Sequence, residues 1–289
     1  MQQRAVPVNG IEFSYLESGP ADGPLALCLH GFPDSAHTWR HLMPALAAAG
    51  YHAVAPWMRG YAPTWIPSDG VYQVGALAVD ASGLHEALGG DGRAVLVGHD
   101  WGAYASYGAA ALHPERWRRV VTMAVPPLAA SASSFFTYAQ MKRSFYIFLF
   151  QTPLAEMAVS ADGLEFLDHL WADWSPGYDA AWDLVRVKAS IGDPANLSAA
   201  IGYYRALFDP TFRSPEYDEA QAATAQSPPQ PTMYLHGTDD GAMGLDAIGD
   251  VGAVLSDGSE LVVVEGAGHF LHLEQPEVVG EHVRRFLAP

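Results

Sequence analysis

Cysteine is nearly absent from the 289-residue sequence: Cys28 stands alone, so no internal disulfide can form and a reducing cytoplasm is the simplest compartment. Basic residues are scarce as well. Fifteen Lys and Arg against 32 Asp and Glu give a formal net charge of −17, which argues against nucleic acid or an anionic membrane surface as partner. The same balance mildly disfavours polyanionic substrates, within the ~8 Å that salt leaves unscreened at physiological ionic strength. Long hydrophobic runs are missing too. The densest, SFYIFLF at 144–150, is far too short for a bilayer, and MQQRAVPVNGIEFSY at the start lacks the basic-then-apolar pattern of a signal peptide. Internal repeats and low-complexity segments are lacking. With 49% hydrophobic and 16% charged residues, the composition suits a soluble, cytoplasmic, folded protein with a large core.

What is present is alternation. IEFSYLE (11–17) has the period of an early antiparallel strand. LALCLH (25–30), HAVAP (52–56), AVLVG (94–98), VVTMAV (120–125), TMYLHG (232–237) and LVVVEG (261–266) are near-continuous apolar runs, as expected of parallel strands covered on both faces. Helical stretches at 38–49, 75–89, 101–112 and 276–287 lie between them. This predicts an α/β, mostly parallel, doubly wound sheet with right-handed crossovers. The rhythm stops between Pro126-Pro127 and QSPPQP at 226–231, in a stretch rich in Trp, Tyr and Phe. Proline at both ends marks boundaries. We therefore expect a core of 1–126 and 227–289, with 127–226 a helical cap (lid) over the C-terminal edge of the sheet, where open α/β sheets bind ligands.

One segment asks a chemical question. VLVGHDWGAYAS (95–106) runs from a strand into small residues suited to a helix, and Gly98 and Gly102 flank Asp100. That spacing suits a sharp strand-to-helix turn, a position that usually presents a serine. Three further loops follow strands: LHGFPDS (29–35), HGTDDGAMG (236–244) and EGAGHFLHLEQP (265–276). Together they give the chain order nucleophile, acid, histidine, which is that of the α/β-hydrolase triad.

On these residues the sequence resembles the α/β-hydrolase superfamily, and within it the epoxide hydrolases, over essentially the whole chain. HGFP resembles the family's oxyanion loop, GHDWG its nucleophile elbow and GHFLHLEQP its histidine loop. YIFLFQTPLAE (146–156) is similar to a first cap motif, a tyrosine five residues before Gln-x-Pro, and GYYRALF (202–208) to a second, an aromatic-Tyr-Arg. The resemblance implies an α/β-hydrolase fold with an inserted cap, hydrolysis of an epoxide to a vicinal diol, and an Asp100, His269, Asp240 triad. It also implies Tyr146 and Tyr204 as donors to the opened oxygen, and Phe32 and Trp101 as backbone N–H donors of the oxyanion hole.

Each type has a chemical reason. A carboxylate is already an anion at neutral pH and needs no base before attacking carbon. Phenols with ordinary pKa near 10 stay protonated and can meet a leaving alkoxide. The imidazole of His269 would take a proton from water, and Asp240 would fix its tautomer. No metal or organic cofactor is called for; the partners expected are a small apolar epoxide and water, and a homodimer is left open.

Each assignment has a blander rival. Asp100 could be a turn acid or helix cap, as Asp beside glycines usually is. His272 competes with His269, and Asp239 is adjacent to Asp240. Tyr203 and Tyr138 compete with Tyr204 and Tyr146, for which aromatic packing is the plain alternative. His30 and His99 flank the loops without metal-site spacing. A haloalkane or haloacid dehalogenase would use the same Asp-His-Asp set, with Trp101 suited to a halide. The resemblance, however, implies Asn at position 32 or Arg at 101 for such enzymes, where this chain has Phe32 and Trp101. A non-catalytic binding protein on the same fold is the more remote alternative.

Overall fold

Residues 1–288 are described by a computed structural model. Eight strands form one sheet: β1 (Gln2–Val8), β2 (Ile11–Ser18), β3 (Leu25–Leu29), β4 (His52–Pro56), β5 (Ala94–His99), β6 (Trp117–Met123), β7 (Thr232–Gly237) and β8 (Glu260–Val264), in the order β1-β2-β4-β3-β5-β6-β7-β8. β1 and β2 pair antiparallel, as do β2 and β4; all other neighbours are parallel. In β3, β4, β5 and β7 every residue is buried, which accounts for their unbroken apolar runs.

Helices α1 (Leu42–Ala48), α2 (Val74–Ala87) and α3 (Trp101–Leu112) connect the first parallel strands. Because β4 and β5 lie on opposite sides of β3, right-handed crossovers put α1 on one face and α2 and α3 on the other. The chain reverses direction across the sheet at β3 and β5. Their C-terminal ends, with Leu29 opposite Gly98, form the switch point at which such sheets bind ligands.

Between β6 and β7 the chain forms only helices among the described residues: α4 (Leu128–Ser131), α5 (Tyr138–Arg143), α6 (Phe145–Leu149), α7 (Ala155–Ser160), α8 (Glu165–Trp174), α9 (Ala181–Ile191), α10 (Pro194–Phe208) and α11 (Asp218–Ala223), with short 3-10 turns. Trp171 Nε1 donates to Pro33 O at 2.9 Å, Asn196 Nδ2 to Gly60 O at 2.6 Å and the Tyr203 hydroxyl to Arg59 O at 2.8 Å. All three acceptors lie in loops after β3 and β4, so these helices cover the C-terminal edge of the sheet. α12 (Val251–Val254), α13 (Leu271–Glu274) and α14 (Pro276–Leu287) complete the chain, α14 packing beside α1. No helix among the described residues is long and apolar enough to cross a membrane.

The two edges differ from the sequence expectation. β1 has no apolar alternation to betray it; it is mostly exposed, and Pro7 is tolerated because an edge strand need not donate on both sides. At the other edge, LVVVEG reads as covered on both faces, yet Leu261 and Val263 of β8 stand 47% and 45% exposed.

Candidate active site

Asp100 sits between β5 and α3 at φ 52°, ψ −118°, a backbone conformation that L-residues rarely adopt and that marks a strained functional turn. The flanking glycines make the turn fit. A Cβ on Gly98 would run into the carbonyl of Gly102, and one on Gly102 into that of Leu29. The turn places the carboxylate beside the loop after β3, where the Phe32 N–H donates to Asp100 Oδ1 at 2.8 Å. Burial raises the Asp100 pKa above the usual carboxylate value. The charge of His269 and the main-chain N–H groups of Phe32 and Trp101 counter that rise.

His269 comes from the loop after β8. Its Nδ1 is 3.0 Å from Asp240 Oδ2, and its Nε2 is 3.8 Å from Asp100 Oδ2 with no hydrogen-bond partner among the described residues. Asp240 Oδ1 is held by the N–H groups of Ala242 and Met243, at 2.8 and 2.9 Å. Burial works against a charged His269. Asp240, through charge and hydrogen bond, then Asp100 and Glu274, outweigh it and raise the imidazole above its usual value.

Of the two adjacent acids, Asp240 meets the imidazole, whereas Asp239 is exposed and accepts from its neighbour Thr238. His272 lies apart from Asp100, stacked on Trp39 and bonded to Thr38 Oγ1 at 2.6 Å. His30 stays within its loops, bonded to Gly31 O and accepting from the Met58 N–H, and burial pushes it down to about 4.

Tyr146 on α6 and Tyr204 on α10 line the same cavity as Asp100 and His269. Their rings meet edge-to-face with centroids 5.6 Å apart. Burial pushes both phenols well above their usual pKa, and the Tyr204 hydroxyl has no partner among the described residues. The rivals go elsewhere: Tyr203 spends its hydroxyl on Arg59 O, and Tyr138 is 81% exposed.

The residues around the two tyrosines explain their motifs. Asp193 caps α10 by accepting from the Ala195 N–H, with Pro194 in the first turn. Gln151 Nε2 donates to Ile147 O and Tyr204 O, at 3.0 and 2.9 Å. Arg205 returns the contact, reaching Phe150 O and forming a two-pronged pair with Glu156 at 2.7 and 2.9 Å. Gln151 and Arg205 thus staple the segment carrying Tyr146 to the helix carrying Tyr204.

Sequence reading missed Tyr104, which lines the cavity from the first turn of α3 and whose phenol burial raises to about 12. The available signal was its i+4 spacing from Asp100. The remaining walls are mostly apolar, among them Val125, Leu128, Phe135, Ile147, Leu207 and Met243, and among the described residues Asp100 is the one carboxylate lining the cavity.

Among the described residues, one group of metal-capable side chains converges: buried Asp34, His99 and His272, with one donor atom each within 4.8 Å of the others. His99 Nδ1 and Asp34 Oδ2 are 4.0 Å apart. Two ligands of one zinc ion at a tetrahedral angle would stand about 3.5 Å apart, closer than this pair. His99 Nε2 instead donates to the His269 carbonyl at 2.9 Å and steadies that loop.

Comparison with known proteins agrees with this fold. The family model for the alpha/beta hydrolase fold matches residues 24–276. The chain is 30% identical to epoxide hydrolase A of Mycobacterium tuberculosis, covering 99% of this chain and 97% of that one. It is 31% identical to an epoxide hydrolase of Caballeronia sordidicola, over 98% of this chain and 92% of the relative. Among solved structures, an epoxide hydrolase from Vigna radiata superposes with a TM-score of 0.79 at 30% identity, covering 99% of this chain and 97% of that one.

Proposed function

The chain belongs to the α/β-hydrolase fold family and, within it, to the epoxide hydrolases, and from that premise we propose that it converts a small apolar epoxide to a vicinal diol through a covalent ester on Asp100. In this reading residues 127–226 act as a cap on a core of 1–126 and 227–289, and the reaction needs no metal or organic cofactor.

Asp100 Oδ1 is engaged by the Phe32 N–H, which leaves Oδ2, on the His269 side, to attack a ring carbon. The carbon–oxygen bond of the strained ring breaks as the ester bond forms. Tyr146 and Tyr204 supply a proton and a hydrogen bond to the leaving alkoxide, because burial keeps both phenols protonated. Oδ1 then becomes the ester carbonyl oxygen, already seated at its backbone donor. His269 Nε2 takes a proton from water as that water attacks Cγ, and the N–H groups of Phe32 and Trp101 hold the resulting oxyanion. Collapse breaks the bond from Cγ to Oδ2, the released oxygen takes the proton of the new Cγ hydroxyl, and the proton held by His269 returns to the tyrosinate. The diol leaves with an oxygen that began on Asp100, and the carboxylate regains one from water.

The observation that carries the proposal is the meeting of two neutral phenols with an imidazole paired to Asp240 and a strained, buried carboxylate in one apolar cavity. Such a set suits an apolar substrate whose leaving oxygen stays attached and needs a proton. Incubation of excess enzyme with styrene oxide in 18O-labelled water tests it. First-turnover diol is expected to be unlabelled, with the label entering Asp100; label in the first diol would rule out the ester. One observation favours a dehalogenase instead: Trp101 Nε1–H lies at the cavity, buried without a partner among the described residues. Halide release from haloalkanes, with no diol from any epoxide, would select that reading.

A further inference from the structure

The end of α8 meets the two loops that carry Asp240 and His269 through a closed set of hydrogen bonds. Trp174 O accepts from both the His269 N–H at 2.9 Å and the Gly241 N–H at 3.2 Å. One carbonyl therefore bridges the base to the residue next to the acid. Ser175 Oγ accepts from the Phe270 N–H at 3.1 Å and donates to Glu274 Oε1 at 2.6 Å. Glu274 Oε2 accepts from the Gly268 N–H at 2.8 Å. The N–H groups of residues 268, 269 and 270 are thus all spent on Trp174, Ser175 and Glu274. Position 268 tolerates this only as glycine, since a Cβ there would collide with the Trp174 carbonyl and the Ser175 backbone. The Trp174 ring also touches both ends of the site, 5.0 Å from His269 and 5.0 Å from Tyr146 between centroids.

We infer that Ser175 and Glu274 are positioning residues for the hydrolytic half of the reaction, fixing the His269 loop to the inserted helices so that Nε2 faces the ester. This rests on the reading of Asp100 and His269 given above. Neither residue lines the cavity, so neither touches substrate. Glu274 contributes a second effect through charge. The ionisable groups around His269 are Asp240 and Asp100, Glu274, and the imidazoles of His99, His272 and His236. Glu274 acts with the two aspartates to raise the imidazole, while Ser175 carries no charge. The two residues therefore differ in a way that packing alone would not produce.

Single-turnover kinetics separate the roles, with ester formation read by intact mass and ester loss by product release. In Ser175→Ala, ester formation is expected at the wild-type rate, hydrolysis about ten- to a hundredfold slower, and the pH midpoint of hydrolysis unmoved. Ser175→Thr, which keeps the hydroxyl, should restore the rate. In Glu274→Gln the midpoint should move to lower pH, because an anion that raises His269 is gone; Glu274→Asp should return it. Circular dichroism and thermal melting confirm folding, and Ser175→Ala and Glu274→Gln are independent variants, so that either carries the test should the other fail to fold. An ester that Ser175→Ala hydrolyses at the wild-type rate, or a midpoint that Glu274→Gln leaves in place, overturns the inference alone. Equal losses in both half-reactions overturn it too. A wild-type enzyme that turns over with no ester on Asp100 removes the proposed function and this inference together.

Discussion

His269 Nε2 lies 3.8 Å from Asp100 Oδ2, close enough for each to set the protonation of the other but without a direct hydrogen bond. In the resting protein the Asp100 charge is one of the forces raising His269. Esterification removes that charge. The imidazole then loses one support for its protonated form at the step where it must be a free base. The same pair that stabilises the resting site thereby readies the second half-reaction.

That timing gives a measurable difference. Hydrolysis of the ester needs neutral His269, so it falls as pH drops through the His269 pKa. With Asp100 neutralised, this midpoint is expected at lower pH than the midpoint of His269 in the resting enzyme. An NMR titration of His269 supplies one value and the pH profile of single-turnover hydrolysis the other. Coincident midpoints would show that the two groups are uncoupled.

Replacing the base should divide the reaction in two. In His269→Gln the carboxylate and both phenols remain, so alkylation proceeds and the ester persists. Intact-mass analysis is expected to show one substrate added per chain, with diol formation reduced about 10²- to 10⁴-fold. Asp100→Ala should show no added mass. A His269→Gln protein that accumulates no adduct while consuming substrate would contradict the assigned order of steps.

Tyr146→Phe and Tyr204→Phe should do the reverse. Each removes one donor to the leaving oxygen, and each is expected to slow ester formation about a hundredfold while leaving ester hydrolysis intact. The Gln151→Ala change acts at one remove. It frees Tyr204 O and Ile147 O from their common donor, so ester formation should weaken even though no group at the cavity is altered. Loss confined to hydrolysis in any of the three would reassign the tyrosines.

Much of this site is legible in the sequence because local backbone demands wrote it there. Gly98 and Gly102 are needed for Asp100 to reach its conformation, and the buried strands before each loop leave unbroken apolar runs. Asp239 and Asp240 could not be separated by residue type. They differ because adjacent side chains leave the turn in different directions, and only Asp240 meets the imidazole. Tyr104 drew no attention, since its i+4 spacing from Asp100 puts it on the same helix face without telling that this face lines a cavity. Ser175 left no local signal at all: its partners at 270 and 274 lie nearly a hundred residues away, brought near only by the packing of α8.

The stability of the cap contact should depend on a buried ion pair outside the cavity. Arg59 is 1% exposed and gives Nε and Nη2 to Asp80, at 2.6 and 2.9 Å, and Nη1 to Val71 O at 2.6 Å, with Asp69 3.7 Å away. Its own carbonyl receives the Tyr203 hydroxyl from α10, next to Tyr204. Asp80→Ala leaves the guanidinium charge buried with only the more exposed Asp69 nearby, and should cost about 3–5 kcal/mol in urea unfolding. Arg59→Met with Asp80→Leu removes both charges and should cost less than Asp80→Ala alone, because no unpaired ion remains. A loss under about 1 kcal/mol for Asp80→Ala would class the pair with surface ion pairs. Since Tyr203 reports on Arg59 through the main chain, Asp80→Ala should also slow ester formation more than ester hydrolysis, the signature expected when α10 and its Tyr204 lose their footing.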